Sequence, residues 1–240
     1  MEIAKGKSLT WIIALMFITC LVACEINVED PGPLQFGEKE FIVSNFTGLE
    51  VEDGIDVQVV QGNTYSVRAE GDLRNIHDLR VRKDGKNLSI EYNSHRSRRH
   101  DTRVFITMPV LLEIDLEGAA DATIRGFESD DDLDVELSGA STLRLESSYP
   151  WVRVEMSGAS EFVMAGEGHT LKAEISGASK LYAFDFTLLE ADLRISGASK
   201  ARVDVDSRLK VKASGASDVR YRGTPSIDSD ISGGSTLKAD

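Results

Sequence analysis

Cysteine is nearly absent from this chain, and the shortage decides how it must be held together. Of its two cysteines, Cys20 lies inside an N-terminal apolar run and Cys24 directly follows it, so no disulfide framework can staple the body of the chain. Histidine is scarce too. His77, His95, His100 and His169 are the whole supply, and His95 and His100, five apart, do not converge as metal ligands in a strand or loop. No cofactor or metal motif stands out, neither the EF-hand spacing nor the Gly-Gly-x-Gly-x-Asp calcium repeat. Basic charge is short too, with 27 Lys and Arg against 40 Asp and Glu and a formal net charge of −13. A nucleic-acid partner needs a basic face for its phosphates, so that class is disfavoured. No apolar run reaches the ~20 residues of a membrane-spanning helix.

What is present begins with an export signal. Lys5 and Lys7 precede the mostly apolar run Leu9 to Ala23, which ends in Leu21-Val22-Ala23-Cys24. A short apolar core with small residues before a cysteine reads as a lipoprotein signal peptide over residues 1–23, with Cys24 taking the lipid. Its removal leaves a charge of about −14. Residues 24–40, with Pro31-Gly32-Pro33 at their centre, read as an extended tether. Glu25, not Asp, follows Cys24, which favours the outer membrane, on its periplasmic face or at the cell surface.

From Phe41 the chain reads as short strands. Val57 and Val59, Val67 and Ala69, Leu79 and Val81, and Leu88, Ile90 and Tyr92 alternate between turn residues, and only Asp72 to His77 suits a helical turn. The second half repeats one phrase, Ser-Gly-Ala-Ser. Its glycines are Gly118, Gly139, Gly158, Gly177, Gly197, Gly215 and Gly233, spaced by 21, 19, 19, 20, 18 and 18 residues. A unit this short cannot bury a core alone and must stack on its neighbours. The fold class expected is all-β: a right-handed parallel β-helix, or β-solenoid, of ~19-residue coils behind a short-stranded N-terminal cap region. The domain spans 41–240, with 41–111 as the N-terminal portion and 112–240 as the repeat coils. At each corner the glycine supplies an unusual backbone angle. Ala140, Ala159, Ala178, Ala198 and Ala216 are expected to point into the bend, and the flanking serines to stack as two hydroxyl ladders. The first and last copies depart from the phrase (Glu117-Gly118-Ala119-Ala120 and Ser232-Gly233-Gly234-Ser235), as terminal repeats do, and no cap is evident after the last.

Phe46-Thr47-Gly48-Leu49-Glu50-Val51, then Gly54-Ile55-Asp56-Val57, then the repeated corners resemble the head GIN domain proteins of Bacteroidetes and relatives, described as autotransporter-adhesin heads. The resemblance covers roughly Phe41 to Asp240. It implies a β-helical fold and exposure at the surface or envelope, and it brings no catalytic residues. The ten-residue amphipathic strands of a membrane barrel are missing, so the anchor expected here is the lipid on Cys24.

Three constellations invite chemistry. The basic stretch His95 to Arg103, with Arg96, Arg98, Arg99 and Arg103, could hold phosphate or sulfate groups, or form a solvated hairpin loop. The acidic run Glu128 to Asp134 could hold Ca²⁺, or be a solvated corner insertion. Trp151, beside Pro150 at a corner, is the exposed aromatic best placed to stack on a sugar ring. No nucleophile, base and acid converge, so the expectation is a non-enzymatic, lipid-anchored envelope protein that binds glycans or envelope proteins. The alternatives are a carbohydrate-active enzyme or glycan-binding protein on the same fold, and a periplasmic signalling partner.

Overall fold

The computed structural model describes residues 32–240 apart from 95 and 97. The signal peptide and Cys24 lie outside the described residues. Strands β1 (Phe36–Phe41), β2 (Gly48–Val51), β3 (Asp56–Gln61) and β4 (Ser66–Asp72) lead to a short helix, α1 (Leu73–Asp78). Next come β5 (Leu79–Asp84), β6 (Asn87–Tyr92), β7 (Thr102–Met108), β8 (Glu113–Leu116) and β9 (Asp121–Glu128). The repeats supply β10 (Leu133–Leu137), β11 (Thr142–Ser148), β12 (Trp151–Met156), β13 (Glu161–Ile175), β14 (Lys180–Ile195) and β15 (Lys200–Ala213). The chain closes with β16 (Asp218–Arg222), β17 (Ser226–Ile231) and β18 (Thr236–Ala239). The protein is a parallel β-solenoid.

Each coil enters a glycine corner on one strand and leaves it on another, which creates two stacked faces. The entry face runs β6, β2, β8, β10, β12, the second half of β13, the second half of β14, the second half of β15, and β17, all parallel. At ~4.8 Å per strand these nine strands rise about 38 Å. The exit face runs β7, β3, β9, β11 and then the first halves of β13, β14 and β15, followed by β16 and β18. Burial alternates with period two along both faces, as β12 shows with its exposed Trp151 and buried Val152. The interior is a continuous column of aliphatic side chains with Phe127, Tyr149, Phe162 and Phe186 set into it. The Tyr149 hydroxyl, inside that column, donates to the Leu111 carbonyl at 3.1 Å, and burial pushes its pKa up.

The corners explain the repeated phrase. Gly158 has φ +72°, and a Cβ there would collide with the Gly139 carbonyl oxygen of the coil before. The position therefore demands glycine twice, for its backbone angle and for its contact. Between corners the backbone hydrogen bonds continue, with Ala159 N donating to Gly139 O at 2.7 Å and Ala178 N to Gly158 O at 2.8 Å. The alanines reverse the expectation. Ala140, Ala159, Ala178, Ala198 and Ala216 are all exposed, and it is the fourth residue that turns inward. Glycine and alanine form the tip of the bend, so alternation resumes only at Ser141, Ser160, Ser179, Ser199 and Ser217, which are all buried. Ser141, Ser160 and Ser217 each donate to the carbonyl three residues back at 2.9 Å. Such local bonds satisfy a hydroxyl inside an apolar column. Ser160 and Ser179 also meet directly, at 3.3 Å.

The N-terminal end departs from simple stacking. The β6–β7 coil lies outside the β2–β3 coil, so the first coil in sequence is the second in space. β5 then pairs antiparallel with β6 on the entry face, while β4 pairs antiparallel with β7 and β1 with β4 on the exit face. α1 joins β4 to β5 and buries Ile76. Asp72 caps the helix, accepting from Arg74 N at 2.9 Å and Gln35 N at 3.1 Å. Hydrogen bonds from Arg74 and Gln35 hold its carboxyl far below the usual carboxylate range, against the opposing pull of burial. Phe36 to Glu40, inside the expected tether, thus belong to a paired strand.

Candidate carbohydrate-binding face

Outward side chains on the entry face fall into rows, because strands in register place equivalent positions directly above one another. The residue three before each corner glycine makes one row: Asp115, Glu136, Glu155, Glu174, Arg194, Lys212 and Asp230, with Glu50 beside Asp115. Five consecutive carboxylates therefore stand one strand apart. Among the described residues only Glu174 of these five forms an ion pair, with Arg194 at 3.6 Å. Burial first, and then the charges of Glu117, Glu136, Glu50 and Glu113, push the Asp115 carboxyl up to about 6. Glu52, near the same end, is raised by burial and by Glu117 and Glu91.

The neighbouring row, Glu113, Asp134, Arg153, Lys172, Asp192, Lys210 and Asp228, mixes both signs and largely neutralises itself. Asp134 pairs with Arg153 at 2.8 Å and Asp192 with Lys210 at 3.5 Å. Beyond it stands Trp151, level with Thr170, Glu190 and Arg208 on successive strands. Tyr149 is buried and Pro150 turns the chain, so Trp151 opens β12 on the outward side and is 51% exposed. It lines a groove of about 390 Å³ with Lys172, Glu190, Asp192, Arg208 and Lys210. An aromatic plane beside acceptors and donors of both signs suits a polyhydroxylated ring, which stacks its C–H face and hydrogen-bonds at its rim.

The other expected residues sit elsewhere. Arg98 stacks on the Tyr92 ring at 3.4 Å and pairs with Asp78, in the cap. Burial would raise the Asp78 carboxyl, but hydrogen bonds from Ser94 and Arg98 outweigh it and the net direction is down. Arg96 donates to the Arg74 carbonyl at 2.9 Å, and Arg103 lies 3.6 Å from Glu70 and 3.8 Å from Asp56. Arg99 is exposed. The cap's own carboxylates are thus the anions set against Arg96, Arg98 and Arg103. The run Glu128 to Asp134 spans the end of β9, the bend at 129–132 and the start of β10; Asp131 N donates to Ser129 Oγ at 3.0 Å, and no group of three or more metal-ligating side chains occurs among the described residues. On the exit face Arg202 stacks on Tyr182 at 5.3 Å and Arg222 on Phe184 at 4.0 Å. The acidic row escaped the sequence reading, although its signal is there at a fixed offset before each corner glycine.

Comparison with known proteins fits this architecture. A family model described as "Putative auto-transporter adhesin, head GIN domain" matches residues 45–225. The chain belongs to this family. Among solved structures, a putative adhesin from Bacteroides fragilis superposes with a TM-score of 0.81 at 16% identity, over 86% of this chain and 97% of that one. One from Parabacteroides distasonis gives 0.71 at 15%, over 87% and 98%. A structure titled as a putative lipid binding protein from the same species gives 0.64 at 15%, over 85% and 96%. At such identities these likenesses show the head GIN fold. No curated protein matches the chain.

Proposed function

We propose that this head GIN protein is a non-enzymatic, adhesin-like binding module, held at the outer membrane by lipid on Cys24, and that it takes glycans in the Trp151 groove. One observation carries the reading: a large aromatic stands half in solvent at the wall of a groove lined by paired acids and bases. An exposed tryptophan is costly to leave in water and is common where an apolar ring must be bound. Family membership and the regular faces of the solenoid support a surface that binds by extension.

The test is an array of bacterial-envelope and host glycans, probed with the full chain in detergent and with its Trp151→Ala variant. A glycan bound by the wild type and at least ten-fold less by the variant, with thermal stability unchanged, supports the reading. No glycan bound, or equal binding by both, overturns it. Protease shaving of intact cells places the domain inside or outside, and loss of labelled fatty acid in Cys24→Ser tests the anchor.

A further inference from the structure

The end of the solenoid formed by β17 and β18 is built differently from the rest. Among the described residues each of these strands is paired on one side only, β17 with β15 and β18 with β16. Ile227, Ile231 and Leu237 continue the interior columns of Leu209, Ala213 and Val219. Among the described residues nothing covers the first two, Ile227 being 44% and Ile231 37% exposed, and Leu237 is only partly buried. A row of free backbone donors and acceptors beside an uncovered apolar column is a template for another strand pair.

We propose that a second copy of this chain covers this end, through a two-fold axis that passes through the Gly233 corner at right angles to the stack. The axis sets β17 of one copy antiparallel to β18 of the other. Positions equally far before and after Gly233 then face each other. Asp228 meets Lys238 of the partner subunit, five residues either side, and Asp230 meets Thr236 of the partner subunit, three either side. Ser229 meets Leu237 of the partner subunit, and Ile231 meets Ser235 of the partner subunit. The contacts occur twice, as a two-fold interface requires. No like charges oppose each other along the two strands.

The last corner supplies a separate argument. It reads Gly233-Gly234 where the preceding ones read Gly-Ala. A Cβ at Gly234 would meet only the Gly215 oxygen, at 3.5 Å, an ordinary contact, and no left-handed angle is required there. Packing within the chain therefore accepts alanine at 234. A glycine beside the axis instead lets two corners approach backbone to backbone.

The test is the mass of the full chain in detergent by analytical ultracentrifugation, for the wild type, Gly234→Leu, Asp228→Lys, Lys238→Asp and the doubly swapped chain. Gly234→Leu lies at an exposed corner that its own coil leaves open, so the fold persists, and circular dichroism checks this. The expected result is a dimer for the wild type, dissociation at least ten-fold easier for Gly234→Leu and for each single charge reversal, and recovery in the double swap. A monomeric wild type overturns the proposal. So does a dimer indifferent to all four variants, and so does assembly with a different protein at this end.

Discussion

The two ends of this solenoid carry the same problem and treat it in opposite ways. At the N-terminal end the chain doubles back, sets antiparallel strands along both faces, and lays α1 across the opening with Ile76 and Leu79 buried. Its outermost strands, β1 and β5, are rich in charged side chains, as in Glu38-Lys39-Glu40 and Arg80 to Asp84. At the other end burial falls from Val219 at 0% to a strand β17 with every residue exposed. Repetition alone cannot close a stack, since each coil creates the edge that the next must cover. A cap therefore has to break the repeat, and among the described residues the N-terminal end does so.

Substitutions sharpen this contrast, and the interior of the stack sets the upper limit. Gly158→Ala combines a left-handed angle with a Cβ driven into the Gly139 carbonyl, and is expected to cost about 2–4 kcal/mol in denaturant unfolding. Gly118→Ala shares the angle, at φ +72°, but its Cβ would lie 3.6 Å from Asp53 N, so about 1 kcal/mol is expected. Equal losses at the two sites would break the stacking argument. At the ends, Ile76→Ala in the buried cap helix should cost about 2–4 kcal/mol, and Ile231→Ala, already 37% exposed within one chain, less than about 1 kcal/mol in dilute protein.

A further effect, dependent on pH, comes from the acidic row. The Asp115 pKa is raised in the fold, to about 6 from 3.8, so the folded state holds the extra proton between those values. Stability from this group is fully present below pH ~3.8 and declines as pH climbs through about 6. Asp115→Asn should therefore raise stability at pH 7, by about 1 kcal/mol after solvent screening, and leave it nearly unchanged at pH 4. Added salt should shrink the gain at pH 7. A gain that persists at pH 4 would mean that the ionised Asp115 carboxylate, penalised by burial and by the row's charges, is not its source.

The repeat made most of the fold legible. Glycine at a fixed spacing marks a backbone angle and a close approach, and alternating Leu, Val and Ile mark an inward face, so Gly139 to Gly233 and their flanking strands could be placed from the residues alone. Trp151 was legible for the same reason, as an outward position next to Pro150. Direction at the corner was not. Whether Ala159 or Ser160 turns inward depends on which residues form the tip of the bend, and both are small. The swapped order of the β2–β3 and β6–β7 coils was hidden as well, since pairing partners 39 residues apart leave no periodic trace. The charge at Glu136, Glu155 and Glu174 was visible, but its meaning arises only when register stacks the three.

The most direct test of the contrast between the ends is hydrogen exchange, resolved by segment, on the wild type and on Gly234→Leu. The expected result is slow exchange in both the cap and β17–β18 of the wild type, with β17–β18 alone becoming fast in the variant. Fast exchange at β17–β18 in both proteins, or unchanged protection in both, would contradict an end that is closed by a second copy.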